Sequence, residues 1–342
     1  TVRPHAPPID LSSTYSIPDL DGGAASLDAW AHGQSTAENP VYGRLANPTV
    51  AGFEAALAAL EHAEEAVAFA SGMGAVTACL MAARLRGSGH VIAVRPLYGG
   101  TDHLLASGLT GMEVSFVNAD PAAIRSALRD DTGLVLLETP ANPTLALANI
   151  RAIVAAAGDV AVLVDNTFAT PVLQNPLDLG AALVLHSATK FLGGHGDAVG
   201  GVVASNGDWC AALRQVRIAT GAILHPMAGY LFHRGLQTLP LRVEHAQATA
   251  RELALRLREQ PAVTAVYFPE FDRDWRRYGA SQMAGPGALV SFELRGGQAA
   301  ARQLMGALRL LTPAVSLGSV DTQIQHPASL TQQVVSDEGR AQ

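Results

Sequence analysis

The sequence predicts an α/β protein, with a large domain on a mostly parallel sheet and a smaller C-terminal α/β domain behind it. Three observations carry the prediction. From Ala66 to Leu185, short apolar runs alternate with segments of helical periodicity. Polar residues follow most of these runs, as they do at the edge of open parallel sheets where ligands bind. The chain has 342 residues, 49% of them hydrophobic, which is enough for one large or two ordinary domains with ample core.

Pro4, Pro7 and Pro8 bar an early helix, and residues 19–34, rich in Gly, Ala, Ser and Asp, read as a loop or a short arm helix. Tyr42 and Arg44, spaced i, i+2, point the same way in an extended chain, which suits a shared anion. The Asn47-Pro48-Thr49 turn starts a helix with Phe53, Ala56, Leu57 and Leu60 on one face. Val67–Ala70 is a strand that runs through Ser71-Gly72-Met73-Gly74 into an Ala-rich helix ending near Leu85. Free amides and the helix dipole make such a junction an anion site, although an ordinary tight turn reads the same way and the spacing is not GxGxxG.

Further strands are expected at Val91–Val94, Val114–Val117, Leu134–Leu137, Val160–Val164 and Leu183–Leu185, with helices at Pro121–Leu128 and Ile150–Ala157. Leu97-Tyr98-Gly99-Gly100-Thr101 follows the second strand. Past the strand ends stand Tyr98, Glu138, Asn142, Asp165, Thr167, Ser187, Thr189 and Lys190, scattered in sequence but expected to converge in space. The glycine run Gly193–Gly201 reads better as a bend that permits close packing than as a phosphate cradle. Helices are expected at Trp209–Ile218 and at Leu239–Glu259, the second carrying the domain boundary. Strands at Val263–Phe268 and Ala288–Leu294, a helix at Gly297–Leu308 and a short strand and turn at Ala314–Gly318 follow. The chain closes on a polar stretch from Ser336 to Gln342 that forms no strand.

A net charge of −7 without any Lys/Arg-rich block excludes a nucleic-acid partner. No apolar run reaches the roughly 18 residues of a membrane span, and no basic-then-apolar signal opens the chain. Cys79 and Cys210 lack CxxC spacing and read as free thiols, so a cytoplasmic protein is expected. His186, His195 and Asp197 lack HExxH or comparable spacing, so no metal site is expected.

Lys190 is the only lysine among 23 Lys and Arg residues. Arginine keeps its proton at any usable pH, whereas a desolvated lysine amine loses it and can form a Schiff base. A lysine Schiff base to pyridoxal phosphate needs a carboxylate for the ring nitrogen, an aromatic face and a phosphate site. Asp165 supplies the first and Tyr98 the second. The Gly72 and Met73 amides, with the Ser187 and Thr189 hydroxyls, supply the third.

The motifs around these residues resemble the Cys/Met-metabolism, or trans-sulfuration, family of pyridoxal-phosphate enzymes. They include Tyr42-Gly43-Arg44, Ser71-Gly72-Met73, Tyr98-Gly99-Gly100-Thr101, Glu138-Thr139-Pro140-Ala141-Asn142-Pro143, Val164-Asp165-Asn166-Thr167, Ser187-Ala188-Thr189-Lys190, and Ser316-Leu317-Gly318 with His326-Pro327-Ala328-Ser329. The resemblance implies a fold-type I, aspartate-aminotransferase-like PLP-dependent transferase fold. That fold has an N-terminal arm (1–47) reaching the neighbouring subunit's site, a cofactor domain on a mostly parallel seven-stranded sheet (48–240), and a C-terminal domain (241–342). It implies Tyr42 and Arg44 on the partner's cofactor phosphate, hence a homodimer or a homotetramer of two dimers. Tyr98, Asp165, Thr167, Ser187, Thr189 and Lys190 would hold the cofactor, and Asn142, Ser316 and Leu317 the substrate. The family's carboxylate-binding Arg lies in a later motif that does not occur before Gln342, so the C-terminal domain is expected to be incomplete in this sequence.

Within the family, Ala314-Val315-Ser316-Leu317-Gly318 resembles methionine γ-lyases, whereas cystathionine enzymes carry Glu where Val315 stands. An apolar residue there disfavours a substrate with a distal charge. Gly100 and Ile218-Ala219 depart from the Cys and the Lys-Asp pair of many methionine γ-lyases. The resemblance thus implies a carbon–sulfur lyase that removes the γ-substituent of a sulfur amino acid, L-methionine first. The alternative is a cystathionine γ-lyase or γ-synthase, or an O-acetylhomoserine sulfhydrylase.

Overall fold

Runs such as Val91-Ile92-Ala93-Val94 have no polar face, so the strands they form must be covered on both sides. The computed structural model, in which residues 5–331 are described, meets that demand with helices on both faces of one sheet. Helices α1 (Leu20–Ala31) and α2 (Pro48–Leu60) lead to β1 (Glu65–Phe69), α3 (Gly72–Leu85), β2 (His90–Arg95), α4 (Gly99–Ala106) and β3 (Glu113–Asn118). Then come α5 (Pro121–Ala127), β4 (Thr132–Glu138), α6 (Ile150–Ala157), β5 (Ala161–Asp165), the one-turn α7 (Thr170–Leu173), β6 (Leu183–Ser187) and β7 (Gly201–Ser205). The seven strands lie in the order β1-β7-β6-β5-β4-β2-β3. Strand β7 is antiparallel to both neighbours, and every other pair is parallel.

Helices α8 (Gly207–Thr220), α9 (Pro226–Leu236) and α10 (Leu239–Arg258) follow. Strand β8 (Val263–Tyr267) and, after the short α11 (Ala280–Gln282), β9 (Ser291–Leu294) form an antiparallel pair. Helix α12 (Gly297–Ala307) precedes β10 (Thr312–Pro313), which pairs parallel with β11 (Gln323–Ile324). No helix among the described residues is long and apolar enough to cross a membrane.

On one face of the sheet, α3 and α8 bury Val76, Leu80 and Leu213 against Phe69, Leu163, Leu185 and Val203. On the other, Phe53 of α2 and Phe232 of α9 meet with ring centroids 5.4 Å apart over Ala68 and Val202, while Ile150 and Ile153 of α6 cover Ile92, Val135 and Val164. The helices start where side chains cap free amides. Asn47 Oδ1 accepts from Thr49 N and Val50 N, and Ser71 Oγ accepts from Gly74 N.

The structure departs from the sequence expectations at four places. Strand β7 was not expected: its apolar part is only Val202-Val203-Ala204, too short to show a period, and Gly201 reads as part of the preceding bend. Helix α9 was not expected either. Its Gly229 and Gly235 are poor helix formers, but a Cβ at Gly235 would come within 2.3 Å of the Leu192 carbonyl, so packing decides against propensity. Gly99 and Gly100, for which no element was expected, open α4 with Tyr98 at its N-cap. Of the two readings of residues 19–34, loop or short arm helix, the helix holds: α1 starts there with Asp19 as its N-cap. The short strand expected at Ala314–Gly318 falls instead on Thr312–Pro313. The polar stretch from Ser336 to Gln342 lies outside the described residues.

The run Gly193–Gly201 is a packing bend. A Cβ at Gly201 would stand 2.3 Å from Ser71 O and 2.8 Å from Gly72 Cα, so β7 approaches the start of α3 at backbone contact. Gly201→Ala must therefore push two backbone segments apart. It is expected to lower stability by about 1–3 kcal/mol, read as a lower denaturant midpoint.

Candidate active site

In a parallel sheet every carboxyl end falls on one edge. Here the ends of β4, β5 and β6, with the start of α3, open onto a cavity of about 220 Å³. Lys190 stands in the turn after β6, and its Nζ donates to Ser316 Oγ at 3.0 Å. Burial lowers its pKa from the usual lysine range, which favours the neutral, nucleophilic amine.

Asp165 closes β5. Its Oδ1 accepts from Thr167 N at 3.0 Å and Thr167 Oγ1 at 2.6 Å, and Thr167 Oγ1 accepts from Ser187 N at 2.8 Å. This chain ties the ends of β5 and β6 together and fixes the carboxylate's orientation. Burial raises the Asp165 pKa, and the two Thr167 bonds oppose the rise. Glu138 closes β4 and pairs in register with Asp165. Burial first, and then the charge of Asp165, push Glu138 well above the usual carboxylate range.

Gly72, Met73, Tyr98, Asn142, Asp165, Thr167, Ser187, Thr189, Lys190, Ser316 and Leu317, all singled out in the sequence, line this cavity. Tyr42 and Arg44 are not among its lining residues. The Arg44 guanidinium donates to Ile218 O at 2.8 Å and lies 5.5 Å from the Tyr42 ring centroid, and both side chains are exposed. The Thr189 hydroxyl is engaged with Gly200, donating to its carbonyl at 3.2 Å and accepting from its amide at 3.0 Å. Sequence reasoning put Glu138 at a strand end without a role. Val199 and Phe168 are further walls it did not foresee. Both are apolar residues in polar or glycine-rich segments, where the local pattern carries no sign of a site. Among the described residues no group of three His, Cys, Asp or Glu side chains could hold a metal ion.

The donor set fits pyridoxal phosphate. The Gly72 and Met73 amides precede the first intrahelical bond of α3, Ala75 N to Ser71 O, and so face outward at the positive end of the helix. A Cβ at Gly72 would come within 3.0 Å of Ser187 Cβ and Oγ, filling the space between that helix start and the β6 turn. An amine with a lowered pKa and a carboxylate from a neighbouring strand share the same cavity.

The class these features define is that of lysine-bound pyridoxal-phosphate enzymes, and comparison with known proteins narrows it. The chain belongs to the Cys/Met metabolism PLP-dependent enzyme family, which it matches over residues 1–342, and its cofactor is pyridoxal 5′-phosphate. It is 56% identical over 335 residues to an L-methionine gamma-lyase of Brevibacterium sandarakinum, covering 97% of this chain and 85% of the relative. It is 54% identical over 332 residues to one of Streptomyces avermitilis, covering 97% and 76%. Among solved structures it resembles a cystathionine gamma synthase of Xanthomonas oryzae pv. oryzae in complex with aminoacrylate and cysteine, with a TM-score of 0.88 and 36% identity over 98% of this chain and 85% of that one.

Cofactor capture requires the Lys190 amine without its proton. The rate at which apoprotein takes up pyridoxal phosphate, followed by visible absorbance, should therefore rise with pH and level off below the pH expected of an ordinary lysine. A midpoint at the ordinary lysine value would mean that Lys190 is solvated when it reacts.

Proposed function

We propose that this protein is a carbon–sulfur lyase that cleaves L-methionine, with water, to methanethiol, 2-oxobutanoate and ammonia. One observation of the structure carries the choice of substrate. Apart from Lys190, Asp165 and Glu138, no charged side chain among the described residues lines the cavity, and Val199, Val315 and Leu317 supply apolar wall. A methyl thioether loses nothing on entering such surroundings, whereas the distal ammonium and carboxylate of cystathionine would be desolvated without partners. The relatives at 54–56% identity, all named L-methionine gamma-lyase, support the same reading.

Bound at this site, pyridoxal phosphate supplies an electron sink for charge developing at the substrate's Cα. Their positions in the cavity support the following roles for the chain's own residues. Asp165, held by Thr167, would keep a proton on the ring nitrogen. The Gly72 and Met73 amides and Ser187 would hold the phosphate, with Thr189 bracing the turn, and the Tyr98 ring would stack on the cofactor. Lys190 Nζ, released when substrate takes its place, would remove the Cα proton, deliver it to the cofactor's C4′ carbon and, as the free amine again, take a Cβ proton, and Ser316 Oγ would steady it. Tyr98 Oη protonates the departing methanethiolate sulfur. Asn142, Ser316 and Leu317 border the substrate's carboxylate end.

The substrate assignment is tested by supplying the purified protein with L-methionine, with cystathionine, and with O-acetylhomoserine plus a thiol, and measuring 2-oxobutanoate and thioethers. Methionine should give the highest kcat/KM. Faster turnover of cystathionine, or thioether formation without oxobutanoate, would replace this reading with that of a cystathionine enzyme or a sulfhydrylase.

Residues 1–47, 48–240 and 241–342 serve in this reading as arm, cofactor domain and C-terminal domain of a cytoplasmic enzyme. The exposed Tyr42 and Arg44, away from their own cavity, complete the site of a second copy, and two such dimers form the tetramer. Exposed apolar side chains on the arm, Leu11 and Leu20, support a covered surface there. Complementation checks it. Lys190→Ala and Arg44→Ala variants, each inactive or nearly so, should recover about a quarter of wild-type activity when refolded together, because half the dimers would hold one intact site. No recovery would confine Arg44 to its own subunit.

A further inference from the structure

Glu138 is the charged residue of the cavity to which the chemistry above assigns nothing. It is 6% exposed, and burying a carboxyl group there needs compensation. Two backbone amides from different segments provide it. Glu138 Oε2 accepts from Tyr98 N at 2.7 Å, and Oε1 accepts from Asn142 N at 3.0 Å. The Tyr98 carbonyl in turn accepts from Thr101 N at 2.9 Å and Asp102 N at 3.0 Å, and Asp102 is anchored to Arg95 at the end of β2 by a 2.7 Å ion pair. The Asn142 segment is closed by Leu145 N to Ala141 O at 2.7 Å and Ala141 N to Ala146 O at 2.9 Å. Each loop is thus internally rigid, and Glu138 is the shared post to which both are tied.

We propose that Glu138 is a positioning residue: its two oxygens set the spacing between Tyr98, on the cofactor side, and Asn142, on the substrate side. The role requires that Tyr98 and Asn142 act as proposed above; the identity of the thioether does not enter. A carboxyl group suits the task in either protonation state, since each oxygen keeps a lone pair for an amide N–H. Glutamine has one acceptor oxygen and turns an NH₂ toward the other N–H, and aspartate is one methylene short of spanning both.

Glu138→Gln changes almost no volume and isolates the lost acceptor. Amide hydrogen exchange should quicken at Tyr98, at Asn142 or at both, with β4 and β5 still protected. On whichever substrate the wild type turns over fastest, kcat/KM should fall on the order of tenfold to a hundredfold, the loss of a hydrogen bond to a carboxyl group. In a Tyr98→Phe or an Asn142→Ala background the further loss should shrink severalfold, because a spacer matters less once the group it places is gone. Unchanged exchange at both loops, full additivity in both backgrounds, or loss of protection across the whole sheet would overturn the proposal. Exchange is read on the protein itself and kcat/KM on the fastest substrate, so both remain readable even if methionine proves inert.

Discussion

Withdrawal of ionisable groups from water at the carboxyl ends of β4, β5 and β6 is the constraint on which the rest of the site depends. An ammonium is costly there, so Lys190 leans toward the free amine and keeps one hydrogen bond, to Ser316. A carboxylate is costly too, and both that end strands in this wall carry two donors each: Thr167 N and Oγ1 for Asp165, Tyr98 N and Asn142 N for Glu138. These bonds are also the contacts that fix the loops. The same desolvation that makes charge expensive here would strengthen the attraction between Asp165 and a protonated ring nitrogen, which water at the surface would screen.

Topology explains why so few residues suffice. Parallel strands send every carboxyl end to one edge, and successive β-α units deliver Tyr98, Glu138, Asp165 and Lys190 to it without long loops. The single antiparallel strand does something different. By returning beside β6 and β1, β7 brings Gly200 to the Thr189 hydroxyl and Gly201 to the backbone of Ser71 and Gly72. One strand thereby braces both the turn that carries Lys190 and the helix start proposed for the phosphate. At Gly201 backbone meets backbone, while Gly200 faces the Phe232 ring and Gly194 the Arg242 guanidinium.

This division decides what the sequence makes legible. Strands such as Val91–Val94 and Leu134–Leu137 announce themselves because burial on both faces demands an unbroken apolar run, and Glu138, the polar residue ending the second, lines the cavity. Strand β7 and helix α9 are silent because close tertiary approach selected glycines that local propensity counts against. Glu138 was visible as a residue but not as a clamp. Its role depends on meeting an amide forty positions earlier in the chain, and no local spacing encodes that encounter. The i, i+2 spacing of Tyr42 and Arg44 suggests a shared anion, but only the family resemblance points to a second copy's site, since within one chain they make contacts unrelated to the cavity.

The two carboxyl groups in register across β4 and β5 show how the constraint becomes chemistry. Neighbouring carboxylates in a buried site do not both ionise easily, and their surroundings decide which yields. Asp165 has a hydroxyl and an amide on one oxygen, and these bonds oppose the upward push of burial. Glu138 is pushed up by burial and by Asp165 itself, against two backbone amides. Glu138 can hold a proton and still accept from both of its amides. These contacts are made by the chain itself, so the electrostatics of the cavity are laid down before any substrate arrives.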